Sequence, residues 1–308
     1  MHHELDFSAR SRGALLGLAT GDALGTSVEF SPRGTFTPLT TIVGGGPFGL
    51  QPGQWTDDTS MALCLAASLC WKQGFDEEDQ MKRYVVWWKQ GYMSSTGTCF
   101  DIGNATRMAL LNYLDHGDPV AGSTDPYKAG NGCLMRYAPV AIFAQHRSQG
   151  ARLELAKRSA VTTHASPECV QATQIFQEVL WRALDGRPKE EVLTIDASVF
   201  SALSPKLQDV CDGAWRTKHR DDIRGSGYVV EALEAALWCV AQSGSFEEAV
   251  LLAANLGDDA DTTAAICGQI AGAMYGEEGI PGAWREVVAM RETIEELCDG
   301  VVALAKGQ

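Results

Sequence analysis

Apolar residues recur along this chain with a helical period almost everywhere outside two stretches. From Thr56 onward, in TDDTSMALCLAASLCW, Met61, Leu65 and Leu69 fall at four-residue intervals with Ala62 and Ala66 beside them. That stripe is what one buried face of a 3.6-residue helix produces. The same period runs through residues 13–25, 80–92, 103–117, 134–146, 151–164, 167–184, 228–242, 246–257, 261–276 and 287–304, which predicts about eleven helices. Boundary chemistry agrees: Ser166-Pro167-Glu168 offers a cap with proline at the first helical position, and Ser245 with Glu248 forms a capping box. Strand signals are nearly absent. The two stretches without the period, roughly 31–55 and 185–227, are rich in Gly, Pro and charge and read as loops over one core. No internal repeat and no Ser/Gly linker divides the chain, so a single all-α domain over 1–308 is expected.

Composition narrows the partners. Hydrophobic residues make up 45% of the 308 and charged ones 21%, ordinary for a globular chain that buries a sizeable core. The formal charge of −14 gives no electrostatic footprint for a nucleic-acid backbone or an anionic bilayer. Neither nucleic acid nor membrane is therefore expected as a partner, and no apolar run approaches the roughly 18 residues of a membrane span. The opening MHHELDFSARSR lacks the apolar core of a secretory signal. The nine cysteines contain no C-x-x-C pair, and several lie in apolar runs, as free thiols do in a reducing compartment. A cytoplasmic monomer is the expectation.

The chemistry sits in two acidic clusters. Thr56-Asp57-Asp58-Thr59 directly precedes one buried helix, and Asp258-Asp259-Ala260-Asp261-Thr262 directly precedes another some two hundred residues later. Asp and Thr are favoured at helix caps, so a single such residue reads first as a cap. Yet one cap needs one acceptor, adjacent carboxylates repel, and an extended backbone would aim Asp259 and Asp261 the same way. Converging carboxylates without a cation must protonate or cost several kcal/mol. With the threonine hydroxyls they form an oxygen-only set, which suits Mg²⁺ or Mn²⁺ rather than Zn²⁺.

Six segments, GDALGTSVEF (21–30), WTDDTSMAL (55–63), TCFDIGNATR (98–107), KAGNGCLMRYAPVA (128–141), TTHASPECVQA (162–172) and NLGDDADTTAAICGQIAGAMYG (255–276), occur in an order that resembles the ADP-ribosylglycohydrolases, specifically the dinitrogenase reductase-activating type. The resemblance implies a compact, orthogonal multi-helix all-α domain with a central cleft for two Mg²⁺ or Mn²⁺ ions. It implies hydrolysis of the bond joining ADP-ribose to a side chain, with the ADP-ribosylated protein and ADP-ribose as partners. Carried over by position, the metal ligands would be Thr56, Asp57, Asp58, Asp259, Asp261 and Thr262. Asp258 departs from the pattern, standing where many members have a second glycine.

Several motif residues carry two readings. Asp101 alone reads as a helix cap; the resemblance makes it first candidate for the acid–base group, with Glu29 as rival. His164 by residue type is a hydrogen-bonded core histidine. The resemblance brings it near substrate, with Asn104 and the Gly130-Asn131-Gly132 run, a weak anion nest assigned to the diphosphate or ribose. Tyr228 is an amphipathic helix start or an aromatic stacked on the nucleotide.

Other classes fit less well. A prenyl-diphosphate enzyme would need D-D-x-x-D, and Met61 stands where its third acid belongs. A generic metal phosphohydrolase would release phosphate rather than intact ADP-ribose. An ADP-ribose-binding or structural member without turnover should have lost metal carboxylates, all of which this chain keeps. The TCFDIGNATR and NLGDDADTT motifs stand closer to members acting on arginine than on serine, which predicts an ADP-ribosyl-arginine hydrolase.

Overall fold

The computed structural model describes residues 5–307, so the first residues of the opening segment lie outside the described part. Fifteen α-helices are found in it: α1 (Phe7–Gly25), α2 (Asp57–Lys72), α3 (Glu77–Gln90), α4 (Asn104–His116), α5 (Gly132–Met135), α6 (Ala138–Phe143), α7 (Gln149–Val161), α8 (Pro167–Leu184), α9 (Lys189–Val192), α10 (Pro205–Cys211), α11 (Val229–Gln242), α12 (Phe246–Ala254), α13 (Ala260–Tyr275), α14 (Gly282–Val287) and α15 (Arg291–Lys306). Among the described residues there is no β-strand, only isolated bridges. The fold is all-α, and no helix is long and apolar enough to cross a membrane.

Four departures from the periodic pattern have physical causes. The helix expected over 134–146 is broken into α5 and α6, because Pro139 has no N–H to offer the carbonyl of Met135. Gln269 of α13 takes that carbonyl instead, its Nε2 donating to Leu134 O at 3.0 Å and Met135 O at 3.1 Å. The last helix starts at Arg291 rather than at 287, since residues 288–290 hold the long irregular segment: Ala289 N–H donates to Gly53 O at 2.9 Å, and Trp55 Nε1 donates to Ala289 O at 3.0 Å. The stretch 185–227 is not merely loop but carries α9 and α10; Ser204-Pro205 repeats the Ser-Pro start of α8, a signal that the absence of apolar period hid. Finally, α2 is buried all round from Asp57 to Leu69, with Met61 and Cys64 facing a second small core under α3 and α4.

The caps of α8 and α12 form as the sequence implies. Ser166 Oγ accepts from Cys169 N–H, and Ser245 Oγ accepts from Glu248 N–H, although Glu248 reaches back to Gly244 rather than to Ser245 itself. The nine cysteines are all free, seven of them buried.

What positions the site is the contact between α1 and α13. Gly13, Gly17, Gly21 and Gly25, one per turn, face Gly272, Gly268, Ala264 and Ala260, and a Cβ at any of the four would come within 2.1–2.4 Å of a backbone oxygen on α13. The two helices therefore lie backbone to backbone and antiparallel, which brings the C-terminal end of α1 onto the N-terminal end of α13. Glu29, just after α1, is thereby delivered beside Asp261.

Candidate active site

The N-termini of α2 and α13 face each other, each opened by an acidic cluster. Thr262 Oγ1 donates to Asp58 Oδ1 at 3.3 Å, and Thr56 Oγ1 stands 3.3 Å from Asp261 Oδ2, so each helix start brings one hydroxyl against the other's carboxylate. Asp57 and Asp58 occupy the first turn of α2, where the helix dipole favours them, but the side-chain acceptor for its start comes from another helix. Asp22 of α1, fully buried, accepts from Thr56 N at 2.8 Å and Thr56 Oγ1 at 3.0 Å with one oxygen, and from Thr59 N at 3.0 Å and Thr59 Oγ1 at 2.6 Å with the other. With those orphan groups satisfied, Asp58 keeps one buried oxygen without a partner. Asp259 stands at the N-cap of α13 without a side-chain capping bond, and its Oδ2 accepts instead from Asn131 Nδ2 at 2.7 Å.

Sequence reasoning passed over Asp22, although it lies inside the quoted GDALG motif. Replacing it with alanine strips the acceptor from four buried donors, each costly to leave unmade. Asp22→Ala should lose about 3 kcal/mol or more in urea unfolding. A loss below about 0.5 kcal/mol would show that α2 starts well without it.

The acids converge on a cavity of about 750 Å³, with Glu29, Asp57, Asp101, Asp259, Asp261 and Thr262 in its wall. One carboxylate oxygen from each of Glu29, Asp101 and Asp261 lies within 4.8 Å of the others. Thr56 and Asp58 stand directly behind, joined to the wall through Asp261 and Thr262. Burial comes first in raising every one of these carboxyl pKa values, and the neighbouring negative charges add to it. Glu29 is pushed up to about 11 with Asp261 and Asp259 as its main repulsive neighbours, and Asp101 to about 10 with Asp57 and Glu29. Asp57, Asp58 and Asp261 rise well above the usual carboxylate range, Asp259 rises, and Asp22 reaches about 6 against the pull of its four donors. Glu29 Oε2, Asp58 Oδ2 and Asp261 Oδ1 are buried without any hydrogen-bond partner. Orphaned, mutually repelling hard oxygens at two helix N-termini fit a divalent cation and little else.

The convergence of Asp259 and Asp261 does not come from extended backbone. Asp259 has φ −90°, ψ 65° and Ala260 already begins α13, so the helix start turns both residues toward the cavity. Asp258, the departure from the motif, is exposed at the rim with φ +58°, a left-handed value that accounts for glycine elsewhere and that aspartate tolerates better than most residues. Phe30 and Asp101 share this conformation, at φ 61° and 56°. Three of the seven left-handed non-glycine residues among those described thus surround one cleft, where strain tends to collect at functional positions. Asp101 caps no helix; Gly103 is the N-cap of α4.

The other expected residues divide. Asn104 is exposed at the cavity mouth, and Gly130, Asn131, Gly132 and His164 line the wall. The glycine run is not an anion nest: Gly130 N–H donates to Lys128 O and Asn131 N–H to Gly227 O, both at 3.0 Å, so two of its donors are spent. Gly130 and Gly132 instead make room for the His164 ring, since a Cβ at Gly132 would stand 2.6 Å from its Cε1. Tyr228 does not line the acidic cavity. It faces an adjoining one of about 1370 Å³ that shares Asn104, Gly130 and Gly227 with the first. Its hydroxyl donates to Glu168 at 2.6 Å and Lys206 Nζ sits 4.5 Å over its ring. The sequence also gave no hint of an aromatic rim, in which Phe48 packs between Phe30 and Phe100 at centroid distances of 6.4 and 5.2 Å.

Comparison with known proteins finds relatives along the whole described chain. The family described as ADP-ribosylglycohydrolase matches residues 3–308. The chain is 48% identical over 288 residues to the ADP-ribosylarginine hydrolase Tri1 of Pseudomonas putida (strain GB-1), covering 94% of this chain and 76% of that protein. It is 43% identical over 296 residues to the Tri1 of Serratia proteamaculans (strain 568), covering 96% and 80%. Identity to the ADP-ribosyl-[dinitrogen reductase] glycohydrolase of Rhodospirillum rubrum is 32%, with 96% of both chains covered. A solved structure titled ADP-ribosylglycohydrolase-related protein complex superposes with a TM-score of 0.87 at 43% identity, over 97% of this chain and 99% of that one.

Proposed function

The chain belongs to the ADP-ribosylglycohydrolase family, and from that premise we propose that it releases ADP-ribose from arginine side chains of modified proteins, reversing mono-ADP-ribosylation. The observation that carries the reading is the cluster of repelling acids with three partnerless buried oxygens. We assign two Mg²⁺ or Mn²⁺ ions to Thr56, Asp57, Asp58, Asp259, Asp261 and Thr262, within one domain spanning residues 1–308. The two relatives at 43–48% identity that bear the name ADP-ribosylarginine hydrolase support arginine as the acceptor. They outrank the dinitrogenase reductase-activating type at 32%, so the finer likeness is better sought with the former.

Bound there, divalent ions supply positive charge that orients ribose hydroxyls and favours ionisation of a nearby water. The chain's own residues do the rest. As the water oxygen bonds to the anomeric carbon, the electron pair of the C–N bond leaves with the guanidine nitrogen. The proton the water loses is balanced by the one that nitrogen gains. We assign that proton to Asp101, which stands in the wall and is half-exposed. A guanidinium leaving group also suits a cleft of surplus carboxylates, whereas a serine hydroxyl needs no counter-ion.

A product assay on paired arginine- and serine-modified peptides with Mg²⁺ present tests the reading. Faster release of intact ADP-ribose from the arginine peptide is expected. Preference for the serine peptide would overturn the acceptor assignment, and tight ADP-ribose binding without release from either would make the chain a binding member of the family.

A further inference from the structure

We propose that Arg136 and Thr163 lock His164 as its Nε2–H tautomer, so that His164 donates a hydrogen bond to an oxygen of the bound ADP-ribosyl group. The proposal rests on the cleft being the ADP-ribosyl site. Arg136 is completely buried with no carboxylate near enough to pair. Its Nη2 donates to Thr163 Oγ1 at 2.6 Å and to Thr162 Oγ1 at 3.2 Å. A guanidinium has no acceptor, so at that contact the Thr163 hydroxyl must accept. The same oxygen lies 2.8 Å from His164 Nδ1, and Thr163 is 1% exposed with no further acceptor in contact. The hydroxyl proton therefore goes to Nδ1; an Nδ1–H ring would leave it buried and unpaired, which folded proteins avoid. With Nδ1 accepting, the single proton of the neutral imidazole sits on Nε2. The ring stays neutral because burial, and secondly the charge of Arg136, lower its pKa to about 3.

Nε2 has no hydrogen-bond partner among the described residues, and the ring forms part of the cavity wall. Gly130 and Gly132 leave it clear, since a Cβ at either would stand 3.3 or 3.0 Å from Nε2. Its surroundings give the donor a purpose. Glu29, Asp101 and Asp261 crowd the same wall, and the Asn131 amide is already spent on Asp259. A neutral N–H among acids receives a lone pair on a ribose or phosphate oxygen that the carboxylates would repel. Arg136 touches no ligand in this scheme; it is a positioning residue acting through Thr163.

Nitrogen-15 NMR of the full-length chain decides it, with His164 assigned among the six histidines by loss of its signals in His164→Gln. The wild type at neutral pH should show a protonated Nε2 and a bare Nδ1, and saturating ADP-ribose should shift Nε2. Thr163→Val should free the ring, moving the Nδ1 signal from that of a hydrogen-bonded acceptor toward that of an unpaired bare nitrogen, and raise KM for the arginine-modified peptide about tenfold, the worth of one hydrogen bond, with kcat changed much less. Thr163→Ser should restore both. An Nδ1–H wild type that still binds ADP-ribose would overturn the relay, as would a Thr163→Val protein with unaltered Nδ1 signal and KM. The Nε2–H form in a protein that calorimetry shows not to bind ADP-ribose would instead overturn the functional reading. Should Thr163→Val not fold, the wild-type spectrum alone decides the tautomer.

Discussion

Asp261→Asn is expected to abolish turnover and, in the same preparation stripped of divalent ions, to raise the melting temperature. The two effects have one origin. Asp261 is 1% exposed, has one oxygen without a partner, and is pushed well above the usual carboxylate range by burial and by Asp259, Asp101 and Asp22. A carboxyl whose pKa rises on folding contributes fully only below its unfolded value near 4 and loses that contribution as pH climbs toward its folded value. The metal-free wild type should therefore weaken from pH 7.5 to pH 8.5, a window in which His164 is neutral when folded and almost entirely so when unfolded. Asn removes one such penalty, on the order of 1–3 kcal/mol, worth a few degrees in a chain of this size. Divalent ion reverses the ranking: a hundredfold excess over Kd stabilises the wild type by about 2.7 kcal/mol and the variant by far less. Thermal melts in chelator and in Mg²⁺ at the two pH values give the comparison. An Asn variant less stable than wild type in chelator would return Asp261 to a structural role at the start of α13.

That the acids would meet was legible in the sequence; the reason they are free to bind was not. Periodicity found the apolar faces of α2 and α13 because core contacts repeat every turn, and cap chemistry fixed the start of α8 to the residue. Asp22 escaped because a buried acid inside an apolar helix carries no local sign of its partners, which lie 34 and 37 positions away. The glycines of α1 looked like ordinary small residues until α13 was seen to lie against them. The break at Pro139 was written in the sequence, but not the Gln269 amide that makes it tolerable. Likewise Gly130 and Gly132 resembled an anion nest, and only the placement of His164 shows that a Cβ would crowd its ring, at 2.6 Å from Gly132 and 3.3 Å from Gly130. Local chemistry is visible in a sequence; which distant groups satisfy it is a property of the packing.

Asp101→Asn should lower kcat by about a hundredfold or more, roughly 2.7 kcal/mol of barrier, while ADP-ribose affinity changes little. The substitution is close to isosteric, and asparagine tolerates the φ of +56° at this position, so the loop before α4 should keep its shape. Nothing structural hangs on the carboxylate, because Gly103 rather than Asp101 is the N-cap. What is lost is a proton-carrying group. Asp101 is half-exposed to the cavity, with burial and the charges of Asp57 and Glu29 raising its pKa to about 10, so that in the metal-free chain it holds a proton at neutral pH. Glu29, by contrast, is 5% exposed and wedged against Asp261 and Asp259, with one oxygen lacking any partner. That setting suits a group that shares in holding cations better than one that exchanges protons with solvent. Glu29→Gln should accordingly weaken Mg²⁺ binding, read as a higher ion concentration for half-maximal activity, and recover much of its rate when the ion is in excess. Asp101→Asn should recover nothing under the same titration. If Glu29→Gln stays inactive at every Mg²⁺ concentration while Asp101→Asn turns over within threefold of wild type, the proton carrier is Glu29 and the assignments exchange.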